Sequence, residues 1–461
     1  MTKKRKAYYQ VEKALKTPHN IIILMGMRKV GKTTILQQLA GEHKGLYVDF
    51  KREEDTHKAF VHALNSDCSL ILFDEIGYLE GYDQLLEELQ REKKKFVISS
   101  SSYPALRQLA AEGLGGGRSF VQNIHLLDFE EYLYFTDKIS YYGDSYDPTP
   151  ADVENFYRLK DIPSGMDMVI DRDYMITTFD DIQVSRKSRQ FAERGIAIDI
   201  DSHKAIVDIL AHTLNRHFGL KSFGHTIVGN QEFGSKEADT LDLTESLIYF
   251  ANVKSREVSP ANLATIIAYL LTNSFVFVDL IMTGAGNQKV DDIVNSLLKI
   301  KHERELRDFL KQYTFSVVSP LIYTRLMVDL EIIAERESSN PAFKGHLYEL
   351  AVKSEVLEKD TFYSFMCSYK YSDIITSKGV DLYVPSTWNR PSLFLEATVH
   401  HKEDEYHNVA KFLRERELIR VITDVYGTWE EEVEYYRIGY PKALLMLSNK
   451  TIFNLKPSKL E

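Results

Sequence analysis

The stretch Ile21–Thr34 reads IIILMGMRKVGKTT, and its interpretation decides the fold. Ile21-Ile22-Ile23-Leu24 is a short, continuous apolar run rich in β-branched residues, the pattern of a strand buried on both faces. It leads directly into Gly26-Met27-Arg28-Lys29-Val30-Gly31-Lys32-Thr33-Thr34, which satisfies G-x-x-x-x-G-K-S/T in a strand–loop–helix setting. The glycines let the backbone curl so that its N–H groups face a phosphate, aided by the positive end of the following helix. Lys32 is placed to contact the β- and γ-phosphate oxygens, and Thr33 to ligate Mg²⁺. Ile35, Leu36, Leu39 and Ala40 then give that helix an inward face. The bland alternative, a chance octapeptide in an unrelated loop, does not account for the strand before it and the amphipathic helix after it.

A second apolar run, Leu70-Ile71-Leu72-Phe73, ends in Asp74-Glu75. An Asp at the carboxyl end of such a strand can hold a Mg²⁺ shell. The adjacent Glu75 is placed to polarise water, which hydrolysis needs and simple nucleotide switching does not. A third run, Phe96-Val97-Ile98, is followed by Ser99, Ser100, Ser101 and Ser102, so hydroxyls emerge beside the γ-phosphate if this strand neighbours the first. Ser102 before Pro104 reads equally well as a helix cap. In Gly113-Leu114-Gly115-Gly116-Gly117-Arg118 the arginine is either a finger reaching a γ-phosphate, in its own or a neighbouring subunit, or a solvated loop charge. Arg28 is read as an exposed charge before a phosphate ligand.

With Leu46–Phe50 these runs alternate with amphipathic segments, so a parallel α/β sheet is expected before Ser140. At roughly 150 residues per domain, a chain of 461 residues holds about three. Composition breaks at 140–165 and 335–345 divide it into 1–139, 140–335 and 336–461, with a smaller break at Gly284–Asn287. Hydrophobic residues at 44% and charged residues at 27% are those of a folded chain. Lys+Arg number 57 against 67 Asp+Glu, a net charge of −10, so nucleic-acid contact must come from a local patch. Cys68 and Cys367 alone exclude a disulfide framework or a cysteine zinc site and fit a cytoplasmic setting. Lys3–Lys6 look like a signal n-region, but AYYQVEKALKTPHN follows instead of an apolar core, so no targeting segment is expected. Leu263–Met282 is long enough to span a membrane, yet Thr272-Asn273-Ser274 splits it into a buried helix and a strand.

Four segments in order resemble prokaryotic AAA-type P-loop ATPases that carry an uncharacterised C-terminal half. They are GMRKVGKTT, LILFDEIGYLEGYDQLLEEL, VISSSS, and GLGGGR leading to HLLDFEEYLYF. Asp74-Glu75-Ile76 and Phe129-Glu130-Glu131-Tyr132-Leu133 match the family, Ser101 falls on the serine of its Gly-Ser pair, and Arg118 on its arginine. Ser100 stands for the usual glycine, Met27 for a proline and Gly77 for a glutamine. The match is close over the first 135 residues and looser beyond.

The resemblance implies a winged helix in the middle. Ser259 caps a helix opened by Pro260 and running to Leu271, and Phe275–Leu280 is a wing strand. Basic residues there are few (Lys254, Arg256, Lys289), which favours a structural or protein-binding module over a DNA-binding one. Further on, Phe343, Leu347, Leu350 and Leu357 place Glu349 on a helix, and Val380–Val384 and Leu393–Val399 are strands carrying Asp381 and Glu396. This constellation looks like the restriction-endonuclease-like fold, whose acids bind Mg²⁺ and whose lysine, two residues after the strand Glu, positions water. That position is Thr398, so either His400 or Lys353 substitutes or the domain does not cut. His400, His401 and His407 lack ligand spacing and read as surface histidines.

The sequence therefore predicts an α/β P-loop NTPase with an AAA-like parallel sheet, then a mostly helical winged-helix region and a small α/β endonuclease-like domain. ATP and Mg²⁺ are the expected cofactors. DNA or a protein is the expected partner, with no membrane, and homo-oligomerisation is open. An ATP-gated nuclease and a nucleotide-dependent scaffold are the competing functions.

Overall fold

β1 (Ile21–Met25) is buried at every residue, as a strand of a parallel sheet covered on both faces must be. In the computed structural model it lies between two parallel neighbours, β4 (Lys95–Ser99) and β5 (Ser119–Asn123). β3 (Leu70–Asp74) pairs with β4 and β2 (Leu46–Asp49) lies at the edge, so the order is β2-β3-β4-β1-β5 with every pair parallel. The structure describes residues 3–26, 29–79, 89, 92–100, 119–141, 146–160, 162, 276–281, 290–317, 319–321, 341–356, 368–370, 382–384, 391–398, 418–424, 430–431 and 436–457, with 261, 264, 267, 268 and 271.

Strand alternation divides the sheet's apolar residues between two layers. Ile22, Leu24, Leu72 and Val97 pack with Tyr8 and Val11 of α1 (Lys6–Leu15) and with Ile35, Leu36 and Leu39 of α2 (Lys32–His43). Ile21, Ile23, Ile71, Phe73, Phe96 and Ile98 pack on the other side with Phe60 and Ala63 of α3 (Thr56–Leu64). Phe73 stacks between Phe60 and Phe96, with ring centroids at 5.5 and 6.1 Å. After β5 come α4 (Phe129–Phe135) and α5 (Pro150–Tyr157), each opened by a capping box, from Asp128 and Thr149 respectively.

The expected strand at 275–280 is present as β6 (Val276–Ile281), and 261, 264, 267, 268 and 271 before it are helical, so Leu263–Met282 is split as its sequence implies. Among the described residues no helix is long and apolar enough to cross a membrane. α6 (Val290–Lys299) and α7 (Glu303–Gln312) follow, then β7 (Tyr313–Val317), antiparallel to β6. β8 (Ser368–Lys370) adds to β6 in parallel. Ser259 and Pro260 lie outside the described residues.

The C-terminal sheet has the order β12-β13-β11-β10-β9. β9 (Leu382–Val384) is antiparallel to β10 (Ser392–Thr398), while β10, β11 (Leu418–Asp424) and β13 (Tyr436–Gly439) run parallel, and β12 (Glu430–Glu431) pairs antiparallel with β13. α8 (Pro341–Val356) packs on β9 and β10 and against α9 (Tyr440–Ser448). α9 also packs on α4 and α5. Its Ala443, Leu444 and Leu447 join the apolar layer that contains α1 and α2, so the two α/β units share one continuous core.

Candidate nucleotide site

The phosphate loop sits where β1 ends. A Cβ on Gly26 would lie 2.1 Å from the Ile124 carbonyl oxygen, so only glycine permits this approach of loop and β5 strand end. Gly31 has φ +91, the left-handed conformation that turns the chain into α2, and Lys29 adopts φ 57. Lys32 is buried and its Nζ donates to the Gly26 carbonyl at 2.8 Å, tying the loop's two ends together. Thr33 and Thr34 are exposed in the first turn of α2. Val30 is buried, and its carbonyl accepts from Arg5 Nη1 at 2.5 Å.

Asp74 ends β3 and is 1% exposed. The Tyr47 hydroxyl of β2 donates to its Oδ2 at 2.9 Å, and the Ser99 hydroxyl of β4 donates to its Oδ1. Two hydroxyls from flanking strands therefore orient one carboxylate. Burial, and then the Asp74 carboxylate, raise the Tyr47 phenol far above its ordinary value, so it stays a donor. Glu75 follows in the left-handed region at φ 53 and ψ 47, and its N–H donates to Asp74 Oδ1 at 3.2 Å. Such a conformation costs a non-glycine residue about 1–2 kcal/mol. Asp49, the register partner of Asp74, is raised by burial and by the Asp74 and Glu75 carboxylates, against the Lys51 N–H and Arg52.

Two separately read motifs are thus brought to one end of one sheet, with β4 between their strands. Ser99, read as one of several emerging hydroxyls, holds Asp74. Arg5 and Tyr47 were not visible as site residues, since neither belongs to a motif. Met27, Arg28, Ser101 and Arg118 lie outside the described residues. Glu349 is half-buried on α8, one helical turn from buried Lys353. On β10, Glu396 is in register with Ile422 and Thr398 with Asp424. Asp381 and His400 lie outside the described residues.

A family model described as an AAA domain matches residues 18–133. No curated protein matches the chain. Among solved structures, the Walker-type ATPase PABY2304 of Pyrococcus abyssi is 13% identical over 71% of this chain and 96% of that one, with a TM-score of 0.36. The ORC2 protein of Aeropyrum pernix in its ADP form is 9% identical over 66% and 92%, with a TM-score of 0.27. The phosphate loop, the inserted strand β4 and the family match agree: residues 18–133 form an AAA-like P-loop domain.

Proposed function

We propose that the protein binds ATP and hydrolyses it with Mg²⁺, and that the cycle repositions its C-terminal half. The observation that carries this reading is the oriented Asp74 carboxylate, followed by Glu75, at the same sheet end as the phosphate loop. The residues fit the ligand: the Gly26 approach leaves room only for backbone, and an acidic, hydroxyl-oriented group stands ready for a hard cation. Lys32 exchanges the Gly26 carbonyl for β- and γ-phosphate oxygens, while the loop from Gly26 to Thr34 turns its amides to the phosphates. Thr33 and Asp74 would hold the metal, which would supply positive charge to offset that of the phosphates. Glu75 takes a proton from the attacking water. Ser101 and Arg118 are assigned γ-phosphate contacts, Arg118 in a homo-oligomer if it acts in trans. A cytoplasmic setting goes with this reading.

The remainder of the chain is read as two modules, 140–335 and 336–461. The succession helix, β6, α6, α7, β7 with β6 and β7 antiparallel supports a winged helix. The helix–strand–strand order with β10 and β11 parallel supports the endonuclease-like reading, with Glu349, Asp381 and Glu396 as its acids. α7 favours a protein partner over DNA. Glu305 Oε2 accepts the Lys301 and His302 N–H groups at 2.8 and 3.2 Å, and Glu303 adds a second acid to the turn that would meet phosphates.

Steady-state hydrolysis by wild type and Glu75→Gln tests the reading. Turnover by wild type and its loss in the variant, with ATP binding kept, is the expected result; equal turnover overturns the role of Glu75. Cleavage of DNA or RNA with Mg²⁺ or Mn²⁺ only when ATP is present would establish the gated nuclease instead.

A further inference from the structure

α1 starts with two cations turned into the protein. The Arg5 guanidinium is 7% exposed and all five of its N–H donors are engaged. Nη1 donates to the carbonyls of Val30 in the phosphate loop and His125 after β5, at 2.5 and 2.8 Å. Nη2 donates to the Leu126 carbonyl at 3.3 Å and to Glu131 Oε2 at 2.5 Å, and Nε to Glu131 Oε1 at 3.1 Å. Its Cδ lies 3.5 Å from the place a Cβ on Gly31 would take. One side chain thus joins the phosphate loop, at Val30, to a buried carboxylate on α4.

Glu131 is itself part of the start of α4. It accepts the Lys6 N–H at 3.0 Å and closes the Asp128 capping box. The first three amides of α4 are satisfied in an unusual division. Asp128 takes the Glu131 N–H at 2.8 Å, but Glu355 of α8 takes Phe129 N–H at 3.1 Å and the Ser448 hydroxyl of α9 takes Glu130 N–H at 3.0 Å. Lys6 Nζ binds Asp128 Oδ2 at 2.9 Å, pairs with Glu130, and donates to the Ser448 carbonyl at 3.3 Å. Burial acts to lower Lys6, and the Asp128, Glu130 and Glu131 carboxylates outweigh it, so the ammonium stays charged. The phosphate loop and the docked C-terminal helices are therefore bound to a single buried set of charges. Charges in such a set are tolerated only while all are paired, so neither side shifts without cost to the other.

We propose that Arg5 and Lys6 couple the phosphate loop to the C-terminal half: Arg5 is a positioning residue of the loop, and nucleotide there tightens the docking of α8 and α9 on α4. The inference rests on the reading of that loop as a nucleotide site. Thermodynamic coupling is reciprocal, so the factor by which nucleotide tightens the docking is the factor by which undocking weakens nucleotide binding.

The test uses the full chain. Titration with a fluorescent ATP analogue and Mg²⁺ is compared for wild type, Arg5→Lys and Ser448→Ala, with hydrogen exchange of residues 341–356 and 440–448 followed with and without nucleotide. Arg5→Lys keeps the charge and loses the fork; Ser448→Ala touches no loop residue. Both are expected to bind nucleotide more weakly by a factor within about 5–150, the usual span of allosteric coupling. Nucleotide should slow exchange in α9 of wild type and fail to do so in Arg5→Lys. Should Arg5→Lys not fold, Ser448→Ala decides alone. Equal affinities, or exchange in wild-type α9 indifferent to bound nucleotide, would overturn the coupling and leave the phosphate-loop reading standing. No binding by wild type would overturn that reading and the coupling with it.

Discussion

The hydroxyls of Tyr157 and Tyr440 meet at 2.7 Å, 283 positions apart in the chain. Tyr157 closes α5 and Tyr440 opens α9, so this buried contact joins the N-terminal unit to the last helix. The Tyr440 hydroxyl also reaches the Tyr348 carbonyl at 3.3 Å, and the Tyr348 ring lies 4.3 Å from its own. The interface is thus sealed by aromatic rings whose polar tips are satisfied.

Burial raises both phenols well above their ordinary value. In the unfolded chain they ionise near about pH 10, so above that pH the unfolded state holds fewer protons and stability falls as pH rises. Below about pH 10 the contribution is complete. Burial, with the hydrogen bond to Glu42, also pushes Tyr8 up to about 12, which adds to the same alkaline loss. Thermal melts from pH 8 to 11 should show a falling midpoint, with a shallower fall in Tyr440→Phe. At pH 8 that variant should lose about 0.5–1.5 kcal/mol, one buried hydrogen bond.

Gly26→Ala should abolish nucleotide binding, because the new methyl group meets a backbone oxygen that cannot step aside. Gly41→Ala is the contrast. Gly41 lies inside α2 with nothing within 4 Å of its Cβ position, so alanine there should stabilise by about 0.5–1 kcal/mol. Fluorescent-nucleotide titration and urea melts of both variants check the pair.

Tyr47→Phe removes one of the two hydroxyls on Asp74. Loss of a group that orients a metal ligand typically weakens metal affinity about 10- to 100-fold. The Mg²⁺ concentration needed for half-maximal hydrolysis should rise by that factor, while metal-free nucleotide binding stays at the wild-type level. An unchanged Mg²⁺ requirement would deny Tyr47 this part.

Burial acts to raise Asp152, but Lys138, Thr149 and Tyr146 outweigh it and hold its carboxyl below the ordinary value. Its contribution is therefore present above about pH 3.9, the unfolded value, and is lost as pH falls through the lower folded value. Acid melts should show Asp152→Asn less stable than wild type at pH 7, with the gap closing toward pH 3.

Some of this protein is legible without its structure because the signals are local. β1 and its loop occupy 14 consecutive residues, and both the apolar run and the glycine spacing act within that span. Asp74-Glu75 declares itself by following a buried strand. The Asp128–Glu131 capping spacing is likewise local and readable. β5, in contrast, reads SFVQN, too short and too polar to stand out, and its strand character comes from pairing with β1.

What the amino-acid order determined alone was the list of chemical parts: a phosphate-loop motif, a candidate metal-binding Asp, a candidate base, and strands alternating with helices. The tertiary structure decided which of them act together. It set β3 between β2 and β4, which gives Asp74 its two hydroxyl partners, Tyr47 and Ser99. It also turned Lys3–Lys6, which in sequence look like a signal n-region, into ion-paired groups. Arg5 meets Glu131 across 126 positions, and Ser448 caps an amide 318 positions away. The reason is physical. Hydrophobic periodicity and turn chemistry are written into neighbouring residues, whereas a buried charge takes whichever partner the packed chain brings within about 3 Å.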